Sequence, residues 1–187
     1  MRLKLPKYIN PKAKTNIYID AANMFYSQKT IDFKIDYKKL FNFFERSFAL
    51  HSISYYTGYD PSNLEQLKFL AKLEELNYKV ISKPIKRICS RNKKRIDKAN
   101  VDVELAIDAV MDMGSYKNII LASGDSDFGY LFEILKRNKK NLIVLSARGH
   151  ISRELRQLSD VYIPLERLKG IISRQKITPP EAGEVNV

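Results

Sequence analysis

Short, almost wholly apolar runs alternate along the chain with longer segments in which apolar residues recur every three or four positions. The runs have the length and β-branched composition of strands, and the segments have the spacing of amphipathic helices. The pattern predicts six strands, at residues 15–20, 51–57, 79–82, 118–123, 141–146 and 161–165. It predicts five helices, at residues 37–48, 61–76, 101–113, 127–137 and 152–158. Asp36 is expected to cap the first helix, and Asp60 the second, with Pro61 in its first turn.

The order of these elements indicates an α/β fold. The runs at 118–123 and 141–146 are almost wholly apolar, as strands are when helices cover both faces of a parallel sheet. Strand and helix alternate without an internal repeat, so we expect a three-layer α/β/α sandwich with a mostly parallel central sheet. In such sheets ligands bind beyond the carboxyl ends of the strands, and polar residues at that edge are the candidates for chemistry.

Three segments fall outside this pattern. Residues 1–14 are basic and carry two prolines, which is typical of an extended arm. Residues 84–99 contain seven lysines and arginines and one acid, and are expected to form an exposed loop or a basic hairpin. Residues 173–187 include two adjacent prolines, so a disordered C-terminal tail is expected after a single domain at 15–172.

The composition indicates what kind of partner the protein binds and in which cellular compartment it is expected. The 187 residues suffice for one domain, and 33 lysines and arginines against 21 acids give a net charge of +12. Such an excess favours a polyanionic partner, nucleic acid first and an anionic membrane surface second, although solubilising surface charge would also produce it. One cysteine and two histidines exclude an intramolecular disulfide and a Cys/His zinc site. With neither a signal sequence nor a membrane-spanning run in view, a cytoplasmic protein is expected.

Acidic residues cluster at the predicted carboxyl edge of the sheet. Asp20 ends the first strand, Asp125 and Asp127 follow the strand at 118–123, and Asp102 opens the helix after the basic segment. Ionised carboxylates that converge repel one another unless a cation lies between them. Because no histidine or cysteine is among them, Mg²⁺ or Mn²⁺ is the expected ion, and both can activate water and stabilise charge on a phosphate. In a strongly basic chain this combination points to phosphodiester hydrolysis.

Each candidate also has a structural interpretation as a helix cap or a turn residue. This applies to Asp20, Asn23, Asp102, Asp125 and Asp127. Two further acids in the same helix as Asp102 are weaker candidates. Asp108 lies about 240° around that helix from Asp102, so it is expected to support the site only indirectly. Asp112 is expected to be a solvated surface charge.

Three motifs together resemble the NYN domain family, especially its LabA-like branch within the PIN-like nuclease superfamily. They are IYIDAAN at 17–23, KANVDV at 98–103 with Asp108 downstream, and SGDSDF at 123–128. The resemblance covers roughly residues 15–165. It implies a PIN-like α/β/α fold and a ribonuclease activity that depends on Mg²⁺ or Mn²⁺.

The resemblance also implies roles for individual residues. The metal-binding acids would be Asp20, Asp102 and Asp125. Asp127 would assist them, and Asn23 and Ser123 would orient water or ligands. The chain departs from the family where Ala21 and Asn100 stand at positions often occupied by glycine. Both positions remain small or compatible with a turn, and the change bears mainly on how closely the backbone can approach RNA.

RNA is the expected partner, and the basic segment before Asp102 is the expected contact surface. The residues predicted to bind phosphates are Arg87, Arg91, Lys93, Lys94, Arg95, Lys98 and Arg148. Tyr55, Tyr56 and Tyr59 could stack on bases, although packing in the core is the commoner role for tyrosines at the end of a strand. A homodimer is compatible with the sequence.

Two other functions remain open at this point. The first is an RNA-binding regulator that keeps the fold and the acids but does not cut. The second is a metal-dependent phosphatase or a phosphoacceptor receiver-type domain, since both use aspartates at strand ends. A phosphatase with an aspartyl nucleophile would want a second aspartate two positions after Asp20, where the chain has Ala22. The basic segment also suits a polymer better than a small phosphate ester.

Overall fold

The structure of the protein, a computed structural model, describes residues 5–89 and 95–174, with the backbone alone for 87–89 and 95–98. The strands within these residues are β1 (Lys14–Asp20), β2 (Ala49–Tyr59), β3 (Lys79–Pro84), β4 (Lys86–Cys89), β5 (Arg95–Lys98), β6 (Asn118–Ala122), β7 (Asn141–Ser146) and β8 (Val161–Pro164). The helices are α1 (Ala21–Thr30), α2 (Tyr37–Ser47), α3 (Leu64–Glu75), α4 (Asp102–Met111), α5 (Gly129–Arg137), α6 (Arg153–Leu158) and α7 (Lys169–Ile172). Short 3₁₀ turns lie at Asp112–Gly114, Ser126–Phe128 and Leu165–Leu168.

Six strands form one sheet in the order β3-β2-β1-β6-β7-β8, and every neighbouring pair is parallel. The predicted α/β fold with a parallel central sheet is confirmed. The chain order reverses between β1 and β6, because β2 and β3 extend the sheet on one side and β7 and β8 on the other. Open parallel sheets bind ligands at such a switch point, where the connections leave the two central strands in opposite directions. β4 and β5 form a separate antiparallel hairpin, one of the two forms expected for the basic segment.

Helices cover both faces of the sheet, because alternate residues of each strand point to opposite sides. Ile17 and Ile19 of β1 pack in one core with residues of α1, α2, α3 and α7. Tyr18, between them, packs in a second core with residues of α4, α5 and α6. All three side chains are fully buried. The three layers follow from this alternation, which assigns α1 and α4 to opposite faces of the sheet.

The helix starts confirm one capping prediction and correct another. Asp36 caps α2, as expected, by accepting a hydrogen bond from a backbone N–H of its first turn. Helix α3 begins later than predicted and has Asn63 as its N-cap. The carboxylate of Asp60 accepts hydrogen bonds from Ser62 in the turn that precedes the helix. The assignment of Asp60 and Pro61 to the start of α3 is therefore wrong.

Helix α1 and the short α7 are absent from the predicted elements. The buried residues of α1 are Ala21, Met24 and Ser27, of which only Met24 is a large apolar residue. Its two aromatic residues face solvent instead. A helix whose largest apolar side chains point outward has no amphipathic pattern for the sequence to reveal.

Two buried tyrosines hold α4 in place on the sheet. The hydroxyl of Tyr56 donates a hydrogen bond to Asp108 at 2.8 Å, and that of Tyr18 donates one to Asp112 at 2.9 Å. The two acceptors are four residues apart and therefore share one face of the helical segment. Asp112 thus accepts a hydrogen bond from a buried tyrosine and is not the solvated surface charge expected from the sequence.

Two of the three tyrosines at the end of β2 belong to the core, and for Tyr59 base stacking stays a prediction. Tyr55 and Tyr56 are buried, and Tyr59 is half-buried against the same core as Tyr55. Core packing, the commoner role for such residues, is therefore confirmed. Base stacking by Tyr55 or Tyr56 is excluded because neither ring has an accessible face.

The residues that flank the sheet contact the domain where the structure describes them. Ile9 is buried in the core, and the backbone carbonyl of Asn10 accepts a hydrogen bond from the side chain of Asn118 at 3.0 Å. Ser173 forms a β-bridge with Ile35. The predicted tail from residue 175 onward and residues 1–4 lie outside the described residues. Within residues 5–89 and 95–174, no helix has the length and apolar character needed to cross a bilayer.

Candidate active site

Asp20 lies at the carboxyl end of β1, beside the switch point of the sheet, and only 4% of its surface is exposed. Its Oδ1 accepts a hydrogen bond from the backbone N–H of Asn23 at 3.1 Å, which makes Asp20 the N-cap of α1. Its Oδ2 accepts one from the hydroxyl of Ser123 at 2.9 Å. Burial raises the pKa of Asp20, and these hydrogen bonds counteract the rise because they stabilise the ionised form.

Hydrogen bonds join the ends of β1 and β6 into one frame. The hydroxyl oxygen of Ser123 accepts a hydrogen bond from the backbone N–H of Asp125 at 3.2 Å while its proton is donated to Asp20. From the other strand, Oδ1 of Asn23 accepts a hydrogen bond from the backbone N–H of Gly124 at 3.1 Å. Asn23 and Ser123 therefore fix the position of the acids around them.

Gly124 allows a third segment, the loop between β7 and α6, to close against this frame. The carbonyl oxygen of Gly124 accepts a hydrogen bond from the backbone N–H of Ser152 at 2.8 Å. A Cβ atom on Gly124 would overlap the carbonyl oxygen of His150. Glycine is required here because two backbones approach each other closely, and a larger residue would have to push the loop away.

Asp102 approaches the same edge from the opposite layer, in the first turn of α4. Oδ1 of Asn100 accepts a hydrogen bond from the backbone N–H of Asp102 at 2.8 Å and so holds the start of the helix. Burial, together with the negative charges of Asp20, Asp125 and Asp127, raises the pKa of Asp102 to about 6. The negative charges of Asp20, Asp125 and Asp127 therefore all act on Asp102.

Asp125 and Asp127 lie in the segment that follows β6. Oδ1 of Asp125 accepts a hydrogen bond from the backbone N–H of Asp127 at 3.0 Å, so Asp125 caps the 3₁₀ turn. Capping uses one carboxylate oxygen of Asp125 and leaves the second for another contact. Asp125 can therefore be a cap and a candidate metal ligand at the same time. Asp127 is exposed and borders an open groove of about 310 Å³ between α4 and α5, which is otherwise lined by apolar and aromatic residues.

These residues fit a divalent metal ion in chemical type. All are oxygen donors, which Mg²⁺ and Mn²⁺ prefer, and a cation would neutralise the shared negative charge around Asp102. They do not form a closed cage: no three Asp, Glu, His or Cys side chains in the described part of the chain are grouped closely enough to hold an ion.

The base of the basic hairpin lies at the carboxyl edge of the sheet. Ala99, which follows β5, packs against Gly58 near the end of β2. The contact is so close that a Cβ atom on Gly58 would overlap the Cβ atom of Ala99. Lys83, near the end of β3, forms an ion pair with Glu104 in the first turn of α4. The hairpin therefore leaves and rejoins the domain beside the helix that carries Asp102.

The predicted phosphate-binding residues are described to different extents. Three lie outside the described residues: Arg91, Lys93 and Lys94. For three others the structure gives only the pairing of the strands that contain them: Arg87, Arg95 and Lys98. Arg148 is exposed in the loop that follows β7, and its backbone N–H donates a hydrogen bond to Glu166 at 2.8 Å.

Two features of this site are missed by the sequence interpretation. The sequence interpretation gives Asn100 no supporting role, whereas its side chain holds the backbone of Asp102. An asparagine just before a helix is the signal that could have revealed this. The contact between Gly124 and the loop at His150 joins segments that are distant along the chain. Its only sequence signal is a glycine between two polar residues.

Comparison with known proteins gives one family and two informative relatives. The NYN domain family model matches residues 14–166. The chain is 32% identical over 169 residues to the low amplitude and bright protein LabA of Synechococcus elongatus. The aligned region covers 88% of this chain and 90% of LabA. The chain also resembles the crystal structure of VPA0982, a protein of unknown function from Vibrio parahaemolyticus. That match has a TM-score of 0.70 and 24% identity and covers 84% of this chain and 95% of VPA0982, so it supports the fold alone.

Proposed function

The chain belongs to the NYN domain family, and from this premise we propose that it is a metal-dependent endoribonuclease acting on single-stranded or flexible RNA. NYN domains are typically ribonucleases. The observation that supports the proposal is that Asp20 ends β1 at the switch point of a parallel sheet and that its charge, with those of Asp125 and Asp127, raises the pKa of Asp102. The protein as a whole has a net charge of +12. Negative oxygens suit a metal ion, and the surrounding positive charge suits a polyanion.

In this proposal Asp20, Asp102 and Asp125 would hold Mg²⁺ or Mn²⁺, and Asp127 would assist them. When bound, the ion would lower the pKa of a water molecule and neutralise charge that develops on the phosphate. Water attacks the phosphorus in line with the leaving oxygen and loses a proton to solvent, the bond from phosphorus to that oxygen breaks, and the oxygen leaves as a hydroxyl after taking up a proton. The chain's own residues set the geometry. The proposal gains support from the burial of Asp20, because a carboxylate already fixed by two hydrogen bonds needs little reorganisation during the reaction.

Asn23 and Ser123 have a positioning role in this reaction. The Ser123 hydroxyl directs Oδ2 of Asp20, and the Asn23 side chain holds the backbone before Asp125. Removing either side chain would leave the acids present but free to reorient. We therefore expect a larger loss in the rate of cleavage than in the affinity for RNA when either is replaced by alanine.

The experiment that tests the activity compares native protein with Asp20→Asn and Asp125→Asn on a single-stranded RNA blocked at both ends. The native protein is expected to cut the RNA internally with Mn²⁺ or Mg²⁺ and to stop in EDTA, and both variants should be inactive yet folded. Glu74→Gln, which removes an exposed acid on α3, is the matched control and should cut normally. Cleavage by Asp20→Asn or Asp125→Asn at the native rate would refute the assignment.

The basic hairpin is proposed to hold the RNA backbone. Replacing Arg91, Lys93, Lys94 and Arg95 by glutamine should weaken RNA binding and leave metal binding intact. For single strands, log K falls with log salt by about 0.7 per phosphate neutralised, so this variant should have a shallower slope by up to about 2.8. An unchanged slope would count against the hairpin as the contact surface.

A second candidate is an RNA-binding regulator that retains the fold without cutting. The observation in its favour is that no group of three acid, histidine or cysteine side chains in the described part of the chain is arranged to hold an ion. Divalent-metal dependence separates the two functions. A regulator would bind the blocked RNA equally in EDTA and Mn²⁺ and leave it intact in both.

A further inference from the structure

Helix α1 presents an aromatic stripe to solvent. Ala22, Phe25, Tyr26 and Lys29 follow the i, i+3, i+4, i+7 spacing of one helix face, and all four are exposed. Phe25 is 54% and Tyr26 is 58% exposed. The outward face of a helix that packs on a sheet normally carries polar residues, so two adjacent aromatic rings there are a sign of binding.

The stripe is organised around its rings and its one cation. The ring centroids of Phe25 and Tyr26 are 5.7 Å apart, with their planes inclined at 72°. The ammonium group of Lys29 lies 4.6 Å from the centroid of Phe25 and 5.0 Å from that of Tyr26. Aromatic faces beside a positive charge are the combination with which proteins bind single-stranded nucleic acid, because bases stack on the rings and the charge contacts phosphate.

The stripe begins at the candidate active site, because α1 is capped by Asp20. Asn23 precedes Tyr26 by about one turn, and Tyr26 lies only about 9 Å along the helix axis from Asp20. A strand with one phosphate at the carboxylates therefore has its neighbouring nucleotides within reach of the rings.

Charge along this path favours a polyanion over an apolar protein partner. Helix α1 contains no acid. At its end, Nε2 of His150 lies 2.9 Å from Oγ1 of Thr30, so the loop between β7 and α6 meets the helix there. The same loop carries the exposed Arg148. Lys29 and Arg148 thus lie on the two segments that meet at Thr30, in a chain that is strongly basic as a whole.

We propose that Phe25, Tyr26 and Lys29 form a stacking platform for single-stranded RNA beside the site of cleavage. The inference rests on the proposed function and deepens it by naming the contact for unpaired bases. A base that stacks on either ring displaces the Lys29 ammonium from it, and Lys29 then contacts the adjacent phosphate. Because every base has an aromatic face, the platform selects unpaired nucleotides with little preference for sequence.

Binding measured without divalent metal tests the platform independently of cleavage. Oligoadenylate and an abasic oligomer with the same number of phosphates are titrated in EDTA against native protein and the double variant Phe25→Ala/Tyr26→Ala. The native protein should prefer oligoadenylate. For the double variant, the Kd for oligoadenylate should rise at least about tenfold, while the Kd for the abasic oligomer should change less than about twofold.

Two single variants complete the design. Tyr8→Ala is the matched control, because Tyr8 is 64% exposed but lies before β1, at the opposite edge of the sheet. It should leave both Kd values unchanged. Lys29→Gln should weaken the binding of both oligomers and reduce the salt slope by about 0.7.

Equal losses for the two oligomers in the double variant, or no loss for either, would overturn the platform. A double variant with a changed oligomeric state but unchanged RNA affinity would also overturn the platform, because the stripe would then be a contact between two protein molecules. The result is separable from the proposed function, since the assay contains no metal. If the native protein does not cut RNA, the double variant can still lose the preference for oligoadenylate. If the native protein does cut RNA, the double variant can still keep that preference.

Discussion

Replacing Asp102 by asparagine is expected to stabilise the metal-free protein near neutral pH while abolishing cleavage. Asparagine keeps the shape of aspartate and removes its charge. In the native protein, burial and the charges of Asp20, Asp125 and Asp127 raise the pKa of Asp102 from 3.8 to about 6. Ionising Asp102 is therefore harder in the folded protein than in the unfolded chain, and the asparagine variant avoids this penalty.

The magnitude of the stabilisation follows from the pKa of Asp102. A rise from 3.8 to about 6 is equivalent to about 3 kcal/mol where the group is ionised in both states. The residue is only half-buried, and solvent screens interactions between such charges, so we expect about 1 kcal/mol. For a chain of this length, that free energy corresponds to an increase of about 2–4 °C in Tm.

The stabilisation should depend on pH with a definite sign. Below about pH 4, Asp102 is protonated in the folded and unfolded states, and the native protein and the variant should unfold alike. As the pH rises from about 4 to about 6, the unfolded chain releases its proton first, and the native protein loses stability relative to the variant. Above about pH 6 the full difference should be present.

Thermal unfolding in EDTA, followed by circular dichroism at about pH 3 and about pH 7.5, measures this difference. Glu74→Gln on α3 is the control for removing an exposed acid and should leave Tm unchanged at both pH values. An unchanged Tm for Asp102→Asn at the higher pH would refute the reasoning. So would an equal increase at both pH values, since repulsion among ionised carboxylates cannot act when they are protonated.

Three further predictions concern the metal, the site loop and the buried tyrosines. Mn²⁺ at about a hundred times its Kd should raise the free energy of unfolding of the native protein by about 2.7 kcal/mol and leave that of Asp20→Asn nearly unchanged. Equal increases in both proteins would mean that the ion binds elsewhere. Gly124→Ala should lower the free energy of unfolding in urea by about 1–3 kcal/mol because its Cβ overlaps a carbonyl oxygen, whereas Gly114→Ala, with nothing within 4 Å, should be nearly neutral. Tyr56→Phe should lower it by about 1.5 kcal/mol because Asp108 loses a hydrogen bond, and an unchanged urea midpoint would contradict the role of that bond in holding α4.

The strands of the sheet are predictable because burial on both faces leaves an unbroken apolar run. β6 and β7 are buried at every position, and both predicted runs match them to within one residue. Helix α1 is not predictable in this way, because Phe25 and Tyr26 face solvent and cancel the periodic signal. At α3 two capping signals compete, and the chain uses Asn63 for the helix while Asp60 closes the preceding turn.

The position rule for parallel sheets is sufficient to select Asp20 and the acids after β6. The partners of these acids cannot be read from the sequence, because the hydrogen bond from Ser123 to Asp20 joins residues that are 103 positions apart. The surroundings of Asp102 depend on the rotation of α4 about its axis. That rotation is fixed by the hydroxyl groups of Tyr18 on β1 and Tyr56 on β2. The apolar pattern of the two strands does not predict these hydrogen bonds.

For the proposed nuclease, the position of α1 and α4 in opposite layers has a consequence for where RNA would be cut. Asp20 caps α1 and Asp102 lies in the first turn of α4, so RNA held by α1 on one side and by the hairpin on the other would cross the carboxyl edge of the sheet. Such an arrangement would hold a polymer at two points and cut it between them, away from its termini. Each product then retains only one of the two grips and loses the avidity of the intact strand, which favours its departure after every cut.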